Sequence, residues 1–309
     1  MLNVSFVAMT ATILSETSLP RLPSASGVEI IGPTAYVVSD DAPFLYLLDA
    51  ATLAPTGQVQ LFETSEFGTG RIPKASKPDL ESMAAIAGPG GAAGLLLCGS
   101  GALPSREVGY FVSLPAAGAS CAPRVLQRLD LALLYARLRA QLPPGTTLNI
   151  EAAATSATEL LLLQRPVGGG PAVLFALPLE ALTHLFEPRW AGPGAVRMLT
   201  FELPKLNGYA AGFSGATFVE DRLFVSASVE AAPDAVADGA VLGSFVGVVE
   251  LADQKATFAR LAWAGGRAYL GKVEGLAVRR TLAPGRLELL LVTDDDQGGS
   301  TALVAEVQL

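Results

Sequence analysis

The chain has 309 residues, half of them hydrophobic and only 16% charged, which supplies a large core and excludes a disordered polymer. The net charge is −8 with no basic cluster to offset it, which argues against nucleic acid or an anionic membrane surface as a partner. No uninterrupted apolar run reaches the roughly 18 residues of a membrane-spanning helix.

The N-terminal segment MLNVSFVAMTATIL is mildly apolar but has no basic residue before Arg21, so it does not read as a secretion signal. We read residues 4–9 as a strand and the protein as cytoplasmic. A pattern then begins that recurs five times. A polar residue opens a short apolar strand, and a second apolar strand follows a few residues later. The openers are Glu29 (SGVEII, then AYVVSDD), Glu81 (DLESMAAI, then GLLLCGSG), Glu151 (NIEAAAT, then ELLLLQRP), Ser214 (FSGATFV, then RLFVSASVE) and Glu274 (KVEGLAV, then LELLLVTDDD). They recur at intervals of roughly 50 to 70 residues, a period typical of repeat architectures.

In the first repeat, Gly32-Pro33-Thr34 is a tight turn, and residues 35–39, 44–48 and 58–62 are further strands. Four strands per repeat predict an all-β chain, a single propeller domain over residues 1–309 with five blades; six would require a repeat hidden in residues 116–147 or 179–203. Residues 131–142 and 179–186 have helical spacing and decorate the second and third repeats. The glycine-rich run at 167–171 reads as a hairpin, and residues 231–243 as a long loop. The last repeat lacks a fourth strand after residues 301–307, so residues 4–9 are expected to complete it and close the ring.

Such a ring gathers Glu29, Glu81, Glu151, Ser214 and Glu274 around one axis. The ends of the second strands, with Asp40, Asp41, Ser100, Arg165, Ser226, Ser228 and Asp294 to Asp296, lie at the same mouth. Four carboxylates in a narrow channel need a cation or protons between them. Oxygen-only ligation selects a hard cation, calcium ahead of magnesium. The one histidine, His184, falls in a helical segment away from the openers, which argues against zinc. Lys272, Arg165, Arg71, Lys74 and Lys77 lie near the mouth and suit a small anionic or phosphorylated substrate. Cys98 lies in an apolar strand and Cys121 in a loop; two cysteines do not make a disulfide framework. There is no GxSxG elbow, phosphate loop or HExxH.

The openers, with SGVE, VVSDD, KPDLE, NIE, LLQRP, FSGATF and KVEGLAV, resemble the five-bladed calcium-activated nucleotidases (the apyrase family). The KVEGLAV and SGVE segments are also similar to bacterial phytase-like and esterase-like propellers. The resemblance implies metal binding by Glu29, Glu81, Glu151, Ser214 and Glu274, and a water-positioning role for Asp40 or Asp41. It departs from the nucleotidases where Ala42-Pro43 follows the acidic pair. The expected function is a calcium-binding propeller that hydrolyses phosphoesters at the channel mouth. In that reading Asp40 or Asp41 orients water, and Arg165 or Lys272 takes developing charge. Two alternatives are a non-catalytic propeller with a structural ion that binds a protein or small molecule, and a lactonase-like or esterase-like hydrolase.

Overall fold

The computed structural model describes residues 8–116, 122–166, 171–187, 190, 192–231 and 239–309. It is all-β, and its sheets are arranged in the manner of propeller blades. The first sheet orders Ala25–Ile31, Thr34–Ser39, Phe44–Asp49 and Pro55–Gln60. The second orders Leu80–Ala87, Ala93–Gly99, Val108–Ser113 and Arg124–Asp130, and the third Ile150–Thr155, Glu159–Gln164, Ala172–Pro178 and Arg197–Phe201. The remaining long strands form one eight-stranded sheet. It runs Gly212–Val219, Arg222–Ala231, Ala240–Glu250, Lys255–Trp263, then Thr10–Ser18, Ser300–Gln308, Arg286–Asp294 and Lys272–Ala283.

Hydrophobic patterning sets the place of each strand. Second strands such as Leu160 to Leu163 and Leu95 to Cys98 are buried on both faces and read as continuous apolar runs. Outer strands such as Arg124–Asp130 and Pro55–Gln60 are largely exposed. Gly32, at φ 59°, holds the first central position of the hairpin between the first two strands, where a side chain would be strained. Apolar clusters join the sheets in cyclic order. Tyr36 and Val38 of the first sheet pack with Leu95 and Leu97 of the second. Leu96 and Phe111 pack with Leu162 and Phe175 of the third. Leu161 and Leu174 pack with Phe213 and Val225, and Phe224 and Val246 with Leu289 and Leu303. Leu290 and Val304 return to Val28 and Val37 of the first sheet.

Thr10–Ser18 completes the last group of strands; most of residues 4–9, the expected closing strand, lie outside the described residues. Thr10–Ser18 pairs antiparallel with Ser300–Gln308 and parallel with Lys255–Trp263, where Ala11 to Ile13 lie opposite Leu261 to Trp263. Among the described pairings between strands this is the one parallel contact, and it joins two four-stranded groups into the eight-stranded sheet. The first predicted helix is shorter than its apolar spacing suggested, Ala132–Arg139, with Leu134, Tyr135 and Leu138 buried between the second and third sheets. The second shrinks to a 3-10 turn at Leu179–Leu182. The expected loop at 231–243 is narrowed by strands reaching Ala231 and starting at Ala240. Residues 232–238, most of the 167–171 hairpin, and Cys121 lie outside the described residues.

Candidate functional site at the channel mouth

Each innermost strand carries a β-bulge near its start, where the register with the second strand slips by one residue. The bulged residues are Ser26, Glu81, Glu151, Ser214 and Glu274. A bulge re-aims the side chain of its extra residue, and here it does so at the same point of each repeat. Four of these five residues, Ser26, Glu81, Glu151 and Glu274, line one small cavity. Ser26 takes the place given to Glu29, which lies three residues further along, opposite Tyr36. Glu29 has no ion pair among the described residues, and burial alone pushes its carboxyl up to about 7. SGVE matched the motif in composition, but the bulge, not the acidic residue, fixes the position.

Below the ring the inner strands come very close. A Cβ on Gly275 would stand 2.9 Å from the Cα of Gly27, and one on Gly215 would stand 2.8 Å from the Cα of Gly275. Only glycine permits that approach. A cavity of about 10 Å³ remains, room for about one water, lined by Ser26, Glu81, Ser82, Glu151 and Glu274 among others. Two of the lining residues carry a buried oxygen with no hydrogen-bond partner, Ser82 Oγ and Glu274 Oε2.

Charged side chains above the ring fall into two groups. In the first, Lys77 Nζ donates to Asp40, lies 3.1 Å from Asp41 Oδ1 and 3.4 Å from Asp79 Oδ1, with its side chain only 9% exposed. Arg71 and Ser24 donate to Asp41 Oδ2, and Ser100 and Arg106 to Asp79 Oδ2. Burial works against the charge of Lys77, but Asp40, Glu81 and Asp79 outweigh it and hold the ammonium above the usual lysine range. Asp40 is pushed up to about 6 by burial, against the pull of Lys77. Burial also acts on Asp41, yet Lys77, Arg71 and Ser24 together hold it below the ordinary range. Asp40, Asp79 and Glu81 each bring a carboxylate oxygen within 4.8 Å of the others.

In the second group, Arg165 Nη1 lies 3.1 Å from Glu151 Oε2 and 3.7 Å from Glu274 Oε1, while Nη2 lies 3.0 Å from Glu230 Oε1. Lys272 Nζ lies 2.8 Å from Glu274, 3.2 Å from Glu230 and 3.3 Å from Asp296. Asn149 donates to Glu151 Oε1 at 2.5 Å. Glu151 is pushed up to about 7, by burial first and Glu274 next, with Arg165 opposing. Glu81 stands between the groups and is raised well above the carboxylate range by burial, Asp40, Asp79 and Glu151. Asp294, at the end of its strand, is pushed up to about 7, mainly by burial.

The structure thus brings together Asp40, Asp41, Glu81, Glu151, Glu274, Arg165 and Lys272. Ser214 joins a hydroxyl chain instead. Its Oγ lies 3.1 Å from Ser226 Oγ and 3.5 Å from Ser228 Oγ, and Ser228 donates to the Val273 carbonyl. His184 is exposed beside Glu187, and Cys98 is a buried free thiol. Asp295 is used by its own turn, accepting the amides of Gln297 and Gly299. Sequence reasoning did not single out Asp79, Ser82, Glu230 or Arg106. Asp79 had a visible signal: it stands two residues before Glu81, as Lys272 stands before Glu274.

No helix of the described residues is long and apolar enough to cross a membrane. Among solved structures, the chain is similar to Myxococcus xanthus glutaminyl cyclase, with a TM-score of 0.52, 12% identity and 98% of each chain covered. It is similar to the tail fibre of a Staphylococcus aureus phage, with a TM-score of 0.50, 10% identity, 97% of this chain and 53% of that one. A Bacillus subtilis arabinanase matches with a TM-score of 0.45, 11% identity, 96% of this chain and 97% of that one. The likeness to the glutaminyl cyclase is to a propeller-like fold. None of the curated proteins matches the chain. Residues 21–307 match DUF6929, a family of unknown function, and the protein belongs to that family.

Proposed function

We propose that this is a single-domain, cytoplasmic, calcium-binding five-bladed propeller that hydrolyses a small anionic ester, a phosphoester first, at the channel mouth. The five-blade reading takes the eight-stranded sheet as two blades sharing an edge through Thr10–Ser18. Its support is the cyclic packing and the five matching bulges. The observation that carries the cation is the unpartnered, buried Oε2 of Glu274, a residue that lines the one-water cavity and whose side chain is 7% exposed. A buried carboxylate oxygen without a donor is costly, and a cation or proton removes that cost. Glu81 and Glu274 would hold the ion, with the unpartnered Ser82 hydroxyl as a neutral ligand. All are oxygen donors, which fits calcium ahead of magnesium. When bound, such an ion polarises an ester oxygen. Asp40, poised near 6, orients water and takes its proton, while Lys272 and Arg165 face the developing negative charge.

The test is a melting curve in EDTA and in calcium, with turnover of p-nitrophenyl phosphate on the same samples, for the wild type and Glu274→Gln. Calcium should raise the melting temperature of the wild type alone, and turnover should require it. If calcium leaves the wild type unmoved, the cation reading falls. A second reading has its own support: Lys77, Arg165 and Lys272 already pair with most of the acids, and the cavity is small. In that reading the mouth is a non-catalytic scaffold that binds a partner, and an absence of turnover of phosphoesters and carboxyl esters, with or without a calcium shift, selects it.

A further inference from the structure

Asp41, Asp79, Glu151 and Glu274 are buried although they carry charge, and the cavity at the ring holds about one water. No ester fits that space, so a covering element has to move before one can reach these acids. Residues 61–79 join the first sheet to the second and contain no helix or strand. A connection of that length without regular structure is commonly a functional lid. Arg71 Nε donates to Asp41 Oδ2 at 2.6 Å, and the Ile72 amide donates to the Asp41 carbonyl at 2.7 Å. Arg106 Nη2, from the second sheet's side, donates to the Lys74 carbonyl at 3.3 Å. The Arg71 stem lies against Gly298 in the last group of strands, where a Cβ would stand 2.7 Å from Arg71 Cδ. Burial raises the Glu230 carboxyl, yet Arg165 and Lys272, with a smaller pull from Lys74, hold it below the ordinary range. The segment therefore acts on groups from four parts of the mouth. Its apolar anchoring is sparse: between residues 63 and 76, Ile72 is the one buried apolar side chain, and Phe67 is half-buried, edge-on to Phe44.

We propose that residues 68–76 are a lid over the channel mouth, latched by Arg71 and Ile72 on Asp41, that lifts while the blades stay folded. Its two ends are held. Phe67 rests on Phe44 at one, and Lys77 is buried among Asp40, Asp41 and Asp79 at the other. Between them, Gly68 and Gly70 leave the backbone free to turn, and Gly70 already stands at φ 84°, which favours glycine. Pro73, Lys74, Ala75 and Ser76 are exposed, and the Arg71 side chain is 42% exposed. Water can therefore take over the hydrogen bonds of the latch, and lifting uncovers one buried apolar side chain, so this segment opens at a lower cost than any strand beneath it. The opening does not depend on the hydrolase reading; what passes beneath the lid does.

Hydrogen exchange read by mass spectrometry, with carbodiimide labelling of the acids in parallel, tests it on the full chain at neutral pH for the wild type and Arg71→Gln. The Ile72 amide should exchange at least about 100-fold faster than the amides of Leu95 to Cys98, at a rate that low urea leaves unchanged, as local opening requires. Arg71→Gln should speed Ile72 about tenfold and leave Leu95 to Cys98 as they are. It should also speed labelling of Glu274 severalfold, an acid held by Arg165 and Lys272 rather than by Arg71. Ile72→Ala leaves the side-chain partners of the acids in place and should act in the same direction. Exchange of Ile72 in step with Leu95 to Cys98 overturns the proposal. So does faster exchange in both variants with Glu274 labelled no faster, which would make the segment a loose loop that covers nothing. Turnover of p-nitrophenyl phosphate on the same samples keeps the two readings apart. A lid that opens in a protein without turnover supports the proposal and leaves the mouth to the scaffold reading. Turnover beside a segment that never opens locally overturns the lid and leaves the hydrolase with another entrance.

Discussion

The two halves of the channel mouth solve one electrostatic problem with different parts. In one, Lys77 meets Asp40, Asp41 and Asp79, all from segments that connect strands. In the other, Arg165 meets Glu151 and Glu274 from bulges of the inner strands, together with Glu230. A lysine ammonium is a compact point charge whose donors follow the positions of connecting segments. A guanidinium is a flat fork that suits carboxylates fixed by sheet geometry. Each half leaves one buried oxygen without a donor, Asp40 Oδ1 and Glu274 Oε2. The lesson is that the mouth is close to self-neutral but stops short of it in both halves.

The largest expected effect comes from the lysine half. Lys77→Met removes the buried partner of three carboxylates and should cost about 3–5 kcal/mol, the range for breaking a buried ion pair from one side. Urea unfolding at neutral pH in EDTA measures it. A loss below about 1 kcal/mol would mean that water reaches Asp40 and Asp79 freely, and the two halves would no longer be comparable. Calcium should recover part of the loss, because Asp40, Asp79 and Glu81 already hold their oxygens close together.

Much of this arrangement was legible before any coordinates. The strands of the first repeat fall within a few residues of their expected places because apolar runs and Gly-Pro turns mark them directly. Glu81, Glu151, Glu274, Arg165 and Lys272 meet as expected because strand topology alone carries equivalent positions to one mouth. Three things were less legible. A bulge has no composition of its own, so Ser26 was passed over for the acidic Glu29. The partners of Arg165 and Lys77 depend on side-chain reach across sheets, which repeat spacing does not encode. Thr10–Ser18 was passed over because TATILSETS is mostly hydroxyl residues with a glutamate and has no apolar run to mark it, while its pairing with Ser300–Gln308 is made by the backbone.

Glu29 offers a control outside both halves. Its folded value, about 7, lies above the ordinary carboxylate value near 4.5, with burial as the cause. The folded state therefore binds the extra proton between those values, and stability falls as pH rises from about 4.5 through about 7. Glu29→Gln should remove that slope and gain on the order of 2 kcal/mol at pH 8, discounted for partial exposure. Unfolding measured from pH 5 to pH 8 checks it. A slope that survives the substitution would pass the effect to Glu151 or Asp294, which are also raised to about 7.

Ser82 gives the smallest effect and separates the cation from the fold most cleanly. Its hydroxyl is buried with no partner, in a residue that lines the cavity, so it contributes no hydrogen bond whose loss would be felt. Ser82→Ala should change stability in EDTA by less than about 0.5 kcal/mol, or raise it slightly, because an unsatisfied polar group leaves the interior. If the hydroxyl is a calcium ligand, the same substitution weakens calcium binding severalfold while Lys77 and Arg165 keep their pairs. A change in affinity without a change in stability would tie the unpartnered oxygens to an ion. Unchanged affinity would leave Glu274 Oε2 as the one oxygen in the cavity that calls for a cation, and would move the ion toward Asp40, Asp79 and Glu81.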